Sequence, residues 1–407
     1  MTKKKKFKLV DAILATVCIT LVAESVAPTA AIGNSQYFWW ILLIAAFCVP
    51  YGLITAELGS TFDSEGGMYD WVKRAFGKKW AARVAWNYWI NFPLWIASLA
   101  VAVTDVVAGI FSIELSIFWL LVLQLGYTWL VSFLGTQRIG ESKWIVNLGT
   151  FFKIAFMVGL GLLGIYVYIK TGQSANPIES VTDLLPSLDL AGLSFISIII
   201  FNFLGFEVVA TFADDMENPK KEIPKALIIG GALMALFYVL PATGINIAMS
   251  LEDAEASGIT ESFMILLTKL GMNADAVRIF VIIVGMMFIY TMVANIVSWS
   301  FGVNSVAKYS ADDGGLPKIF SKTNKRGEKI SLRIFPLGGY CAFEGENGEG
   351  ADKNPNAFTN QKPWKRIIVL FSGAFFNFLS AILFSFILLT GIFPHTLCIF
   401  NIGLTFE

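Results

Sequence analysis

Histidine is almost missing from this chain: His395 is the only one in 407 residues. Most metal sites and most acid–base chemistry built on imidazole are thereby excluded. Cysteine is scarce too, with four residues, which rules out a secreted disulfide scaffold. Charged residues make up 15%, against about 25% in an average soluble chain. Thirty basic residues balance thirty acidic ones, so no net basic field exists to attract nucleic acid. What is abundant is apolar: 56% hydrophobic residues, with 35 phenylalanines and 12 tryptophans, and a mean hydropathy of +0.67. Too little polar surface remains to coat a globule in water. The solvent for this chain is lipid, and the composition predicts an all-α polytopic membrane protein with no cofactor.

A membrane helix needs roughly 20 apolar residues. Nine runs qualify: 9–32, 37–57, 84–112, 116–134, 144–169, 191–212, 226–249, 277–303 and 366–393. The first follows Lys3 to Lys6 and so resembles a signal peptide, but its length exceeds the usual apolar core of about 7–15 residues. It is read as a retained helix. With the N-terminus placed in the cytoplasm, 26 basic residues fall inside and three outside (Lys170, Lys269 and Arg278), while Lys153 lies within a run. That asymmetry fixes the orientation and predicts a multi-pass protein of the cytoplasmic (inner) membrane. The outer connections 170–190 and 250–276 are acidic and read as ordinary solvated loops.

Two runs are interrupted. The first contains Glu24-Ser25-Val26-Ala27-Pro28, and proline tends to break a helix. The sixth contains Phe203-Leu204-Gly205-Phe206-Glu207. Freed backbone groups are tolerated at that depth only where they line a cavity or are buried in protein. Half-helix N-termini favour a carboxylate and half-helix C-termini a cation, so such a pair of breaks suits a zwitterionic amino acid. The breaks lie five helices apart, as two inverted five-helix repeats would place them. The bland alternative is that glycine and proline only kink the helices, and that Glu24 and Glu207 are protonated structural acids. Lys153 has two readings as well. It either snorkels to the cytoplasmic face or is a bundle-facing amine that carries a coupled proton.

Three further stretches bear on identity. Glu65-Gly66-Gly67-Met68-Tyr69-Asp70-Trp71-Val72 with Phe76-Gly77 follows the second run. Gly205-Phe206-Glu207 is followed by Asp215-Met216-Glu217-Asn218-Pro219-Lys220-Lys221-Glu222-Ile223-Pro224-Lys225-Ala226. Asp313-Gly314-Gly315-Leu316-Pro317-Lys318-Ile319-Phe320 follows the eighth run. In order and at these boundaries, they make residues 1 to about 328 resemble the amino acid–polyamine–organocation transporters, in particular the glutamate/γ-aminobutyrate antiporter-like permeases. The resemblance implies an inverted-repeat bundle, no enzymatic activity, and secondary transport of an amino acid by alternating access, as antiport or with proton coupling. It implies substrate contacts at Glu24, Ser25, Val26, Ala27, Phe203, Gly205 and Phe206, with Phe206 as a gate. Lys153 matches a helix 5 lysine that stands in for sodium in proton-coupled relatives, and Glu207 is the second coupling candidate. The partners so implied are an amino acid, protons and the bilayer.

The last eighty residues read differently. Phe335-Pro336-Leu337-Gly338-Gly339-Tyr340, then Gly373 and Asn377-Phe378 in the run 366–393, resemble an internal piece of the site-2-protease family of zinc intramembrane peptidases. Ala374 stands where that family has proline. The protease needs two histidines four apart with a glutamate, and no such motif exists here. The expectation is therefore a joined chain. Residues 1–328 form a permease domain. Residues 329–407 form an inactive protease-like fragment with a small membrane-associated β/loop segment near 330–362 and one helix. A bundle truncated in this way is expected to transport weakly. The runner-up function is a catalytically dead protease fragment that binds a membrane peptide by strand addition.

Overall fold

The structure, a computed structural model, describes residues 7–321 apart from 63, 65, 136–138 and 187–189; at 139–141, 190–195, 214 and 319 it describes the backbone alone. The expectations for Glu65, the 330–362 segment, the helix at 366–393 and His395 fall outside the described residues.

Eight membrane crossings occupy the described chain, and each matches one of the apolar runs. The first is bent: α1 (Leu9–Thr20) gives way to a short 3-10 turn and α2 (Val26–Ala30), with a 42° change of direction. The second is α3 (Gln36–Leu43) and α4 (Val49–Thr61), joined through a π-turn at Ile44–Cys48. A short amphipathic α5 (Met68–Phe76) then lies on the cytoplasmic side. The third, fourth and fifth crossings are α6 (Lys78–Phe111), α7 (Ile117–Leu134) and α8 (Ile139–Thr171). The sixth is α9 (Leu190–Phe201), continued after a turn by a 3-10 helix over Phe206–Asp215. The seventh is α10 (Pro219–Ala248) and the eighth α13 (Ala274–Asp312). At about 1.5 Å per residue, the 34 residues of α6 and 39 of α13 exceed the roughly 30 Å hydrocarbon core and extend into the cytoplasm. Among the described residues there is no strand, only an isolated bridge between Phe7 and Met216.

Two expectations need correction. Pro28 does not make the first break. The helix ends at Thr20: Leu21 is extended with ψ of 100°, and Val22 is also non-helical with ψ of 89°. Pro28 sits in the first turn of α2, where an amide hydrogen would have no helical partner anyway. The outer connection 250–276 is also more than a solvated loop. It folds into α11 (Leu251–Ala256) and α12 (Ile259–Lys269), and α12 buries Ile259, Phe263, Leu266 and Leu267. Its acids face out while its apolar stripe packs on the bundle.

The interior is assembled around α1, α8, α10 and α13. Apolar side chains gain little by moving from lipid to protein, so close backbone approach does much of the work. The α8–α10 crossing shows this. A Cβ added at Gly244 would lie 2.5 Å from the carbonyl oxygen of Gly161, and one at Gly164 would collide with the Gly244 backbone. Cys18 and Cys48 are buried free thiols.

Candidate functional site

The site is built where α1 stops. A helix end leaves its last carbonyls without partners, and at this depth water does not supply them. Here side chains do. Lys153 on α8 donates to Cys18 O at 2.8 Å and Leu21 O at 2.5 Å. Asn295 on α13 donates to Cys18 O at 3.0 Å, and the Trp299 indole to Ile19 O at 3.3 Å. The Tyr238 hydroxyl on α10 donates to Thr20 O at 2.9 Å and accepts from Val22 N at 2.6 Å. The Ser25 hydroxyl lies 2.9 Å from Val22 O and 2.8 Å from the Asn202 side-chain amide. Every carbonyl from Cys18 to Val22 thus has a partner from another element or from the turn itself.

Lys153 is 1% exposed. It does not snorkel; it points into the bundle. Its cation sits at the negative end of α1, which favours it electrostatically.

The second break faces the first. Gly205 has φ +116°, a conformation that favours glycine. A Cβ there would approach Ile19 Cγ2 to 2.7 Å and Trp299 to 3.1 Å. Both the conformation and the space require glycine. Phe203 is fully buried and packs edge-on against Trp40 at 5.7 Å, and Trp40 stacks on Tyr238 at 5.2 Å. Phe206 packs against Tyr51 at 5.5 Å and over Gly231. Glu207 is 8% exposed and accepts hydrogen bonds from two phenols, Tyr51 on α4 and Tyr88 on α6, the latter at 2.9 Å.

The nine predicted residues therefore gather around the two breaks, but in two groups. Ser25, Val26, Ala27, Phe203, Gly205 and Phe206 line the junction, with Lys153 behind α1. Glu207 follows Phe206 and is held by Tyr51, which also packs on Phe206, and by Tyr88. Glu24 is partly exposed within the first crossing, and among the described residues its carboxylate has no hydrogen bond and no ion pair. The phenols of Tyr127 and Tyr238 lie within its electrostatic reach. No cluster able to hold a metal ion is found among the described residues.

Tyr51, Tyr88, Tyr238, Asn202, Asn295 and Trp299 were missed in the sequence. The three tyrosines and Trp299 sit in aromatic-rich helices and carry no local signal. Polarity within an apolar run was the usable clue for Asn202 and Asn295.

The three motifs used for recognition meet at the cytoplasmic end. Lys73 on α5 pairs with Asp313 at 2.8 Å, and the Tyr69 hydroxyl donates to the same carboxylate at 2.5 Å. These contacts hold the Asp313 carboxyl below, and the Lys73 ammonium above, their ordinary pKa values. A Cβ at Gly66 would lie 2.6 Å from the Tyr309 ring, and one at Gly67 2.9 Å from Thr211. Phe7, ahead of α1, bonds to Asp215 O at 3.0 Å and packs on Phe212. Loop 66–77, the end of the sixth crossing and the end of α13 thus close one cytoplasmic face.

Comparison with known proteins agrees with this architecture. The family model described as amino acid permease matches residues 7–402. The chain is 47% identical over 321 residues to a protein of Lactococcus lactis named as a probable agmatine/putrescine antiporter, covering 78% of this chain and 67% of that one. It is 27% identical over 307 residues to the putrescine transporter of Escherichia coli, covering 73% and 65%. It is 25% identical over 241 residues to an aspartate/glutamate permease of Lactococcus lactis, covering 56% and 49%. The chain spans about two thirds of the length of the first two and about half of the third. The family match runs to residue 402 and takes in most of the stretch likened above to a peptidase, a likeness these comparisons do not support. With eight crossings, two facing helix breaks and a family match over nearly the whole length, this chain belongs to the amino acid permease family of multi-pass membrane transporters.

Proposed function

We propose that this protein exchanges small aminated solutes, amines and amino acids, across the cytoplasmic membrane by alternating access. The observation that carries this is Glu24: a mid-membrane acid, partly exposed at the junction of the two broken helices, with no protein partner among the described residues. An ionisable group at that depth is costly and marks a ligand pathway. An ammonium is the ligand it lacks, and the names of the relatives from Lactococcus lactis and Escherichia coli point to amines as well. The backbone and side chains of Ser25, Val26, Ala27, Phe203 and Gly205 complete the pocket, and Phe206 gates it. Lys153 and Glu207 are the coupling candidates. Lys153 is buried and held by carbonyls, so loss of its proton would loosen the end of α1. Residues 1–328 form the transporting body in this reading, a length close to the 321-residue match, and residues 329–407 are a joined segment with one helix. A single long sequencing read of the gene across codons 315–345 tests that division.

Counterflow by purified protein in liposomes tests the function. Loaded putrescine or agmatine should drive uptake of the labelled amine, and Glu24→Gln should reduce uptake at least tenfold while the protein stays folded. No counterflow with any amine or amino acid would refute the proposal.

A further inference from the structure

Asn202 sits in the turn that follows α9 and is fully buried. One end of its amide faces Ser25 Oγ at 2.8 Å, and the other end has no partner among the described residues. As placed, the oxygen faces Ser25 and the nitrogen is the free end. Proton counting contradicts that orientation. Ser25 Oγ also lies 2.9 Å from Val22 O, which the Ser25 N–H reaches at a longer 3.3 Å. A serine hydroxyl carries one proton, and two acceptors cannot both receive it. Amide oxygen and nitrogen have the same shape, so the hydrogen-bond network assigns them. With the amide turned, Asn202 Nδ2 donates to Ser25 Oγ, Ser25 donates to Val22 O, and both contacts have a proton. The free end is then Oδ1, an acceptor.

That oxygen belongs to a closed circuit of contacts. Asn202 meets Ser25, Ser25 meets Val22, Val22 meets Tyr238, Tyr238 stacks on Trp40, and Trp40 packs on Phe203, the neighbour of Asn202. Glu24 precedes Ser25 in the chain, and among the described residues its carboxylate has no hydrogen bond and no ion pair. A buried amide oxygen without a partner is costly, so its retention beside an acid that has no partner among the described residues asks for a donor-rich guest. We propose that Asn202 is a specificity-determining residue whose side-chain oxygen, oriented by Ser25, shares the substrate ammonium with Glu24. The inference rests on the amine-exchange reading above and extends it: the site selects a primary ammonium, with several N–H donors, over a quaternary ammonium, which has none.

Isosteric substitution tests the orientation directly. Binding of putrescine to the purified full chain is measured by calorimetry for the parent, Asn202→Asp and Asn202→Leu, with thermal midpoints as a folding control. Asn202→Asp keeps an oxygen at the free end and should bind putrescine as tightly as the parent or more tightly. Asn202→Leu should lose about 10- to 100-fold, the range for one hydrogen bond to a charged group. Tetramethylammonium should bind no variant measurably better than another. Weakening in Asn202→Asp equal to that in Asn202→Leu would show that an oxygen at this position does not hold the ammonium and would overturn the proposal. If Asn202→Leu does not fold, the Asp comparison alone decides. Absence of putrescine binding to the parent, together with absence of amino acid binding, would overturn the amine reading itself. Loss of binding in Glu24→Gln with no change in either Asn202 variant would overturn only the role of Asn202.

Discussion

Removing the Tyr238 hydroxyl measures how firmly the first break is held. Tyr238 is fully buried, and its one oxygen serves two backbone groups, donating to Thr20 O at 2.9 Å and accepting from Val22 N at 2.6 Å. Tyr238→Phe keeps the ring, its stack on Trp40 at 5.2 Å and the packing volume. What it strips is the one pair of bonds found among the described residues to a carbonyl and an amide that the broken helix cannot satisfy. Each buried backbone group left without a partner costs about 1–3 kcal/mol, so the variant should lose about 2–6 kcal/mol. Tyr37→Phe is the control, because its hydroxyl stands 3.5 Å from Asn246, at the limit of a useful bond; it should lose under about 0.5 kcal/mol, as a surface-like change does. Thermal denaturation in one detergent, followed by loss of the soluble monomer, compares the two. A Tyr238→Phe variant as stable as Tyr37→Phe would refute the view that side chains, rather than water, satisfy the break.

Lys153→Gln retains amide donors for Cys18 O and Leu21 O, so it should fold, but transport should lose its pH dependence; an unchanged pH profile in liposomes would remove Lys153 as the coupling group. Lys153→Met supplies no donor and should be less stable than Lys153→Gln by about 1–3 kcal/mol in the same melt. Gly244→Ala forces α8 and α10 apart at Gly161 and should cost about 1–3 kcal/mol as an overpacking change; a variant of parental stability would show that the crossing relaxes freely. At the cytoplasmic face, Lys73 and Tyr69 depress the Asp313 carboxyl. A depressed acid contributes stability above its unfolded value and loses it as pH falls through its folded value. The difference in melting point between the parent and Asp313→Asn should therefore be constant from pH 8 to 6 and vanish in strong acid. The exposed Lys73–Asp313 pair is screened by salt, so high salt should shrink that difference as well.

Some of this was legible along the chain and some was not. Apolar length located all eight described crossings, because a helix in lipid must satisfy its own backbone and so declares itself by composition. The breaks were visible as an acid and a glycine in apolar runs, yet the proline beside the first misled: Pro28 opens α2, and the helix actually ends at Thr20. Lys153 could be recognised as anomalous but not assigned a direction, since snorkelling and burial use the same residue at the same depth. The outer segment 259–269 passed for a loop because Glu261 and the acids just before it, at 252, 253 and 255, masked its apolar stripe. Cytoplasmic motifs that are far apart in sequence, at 66–77, 205–226 and 313–320, gave recognition without any hint that they touch.

Composition and the placement of 26 inner basic residues determined by themselves that this is a multi-pass helical membrane protein with its N-terminus in the cytoplasm. Those properties depend on each segment's own transfer energy, which is local. The tertiary structure alone decided which side chains finish the broken helices. Tyr238, Asn295, Trp299 and Lys153 reach α1 from α10, α13 and α8, across separations of 132 to 280 residues. A carbonyl freed at depth accepts any donor that packing delivers, and nothing in a stretch of sequence marks which one will arrive.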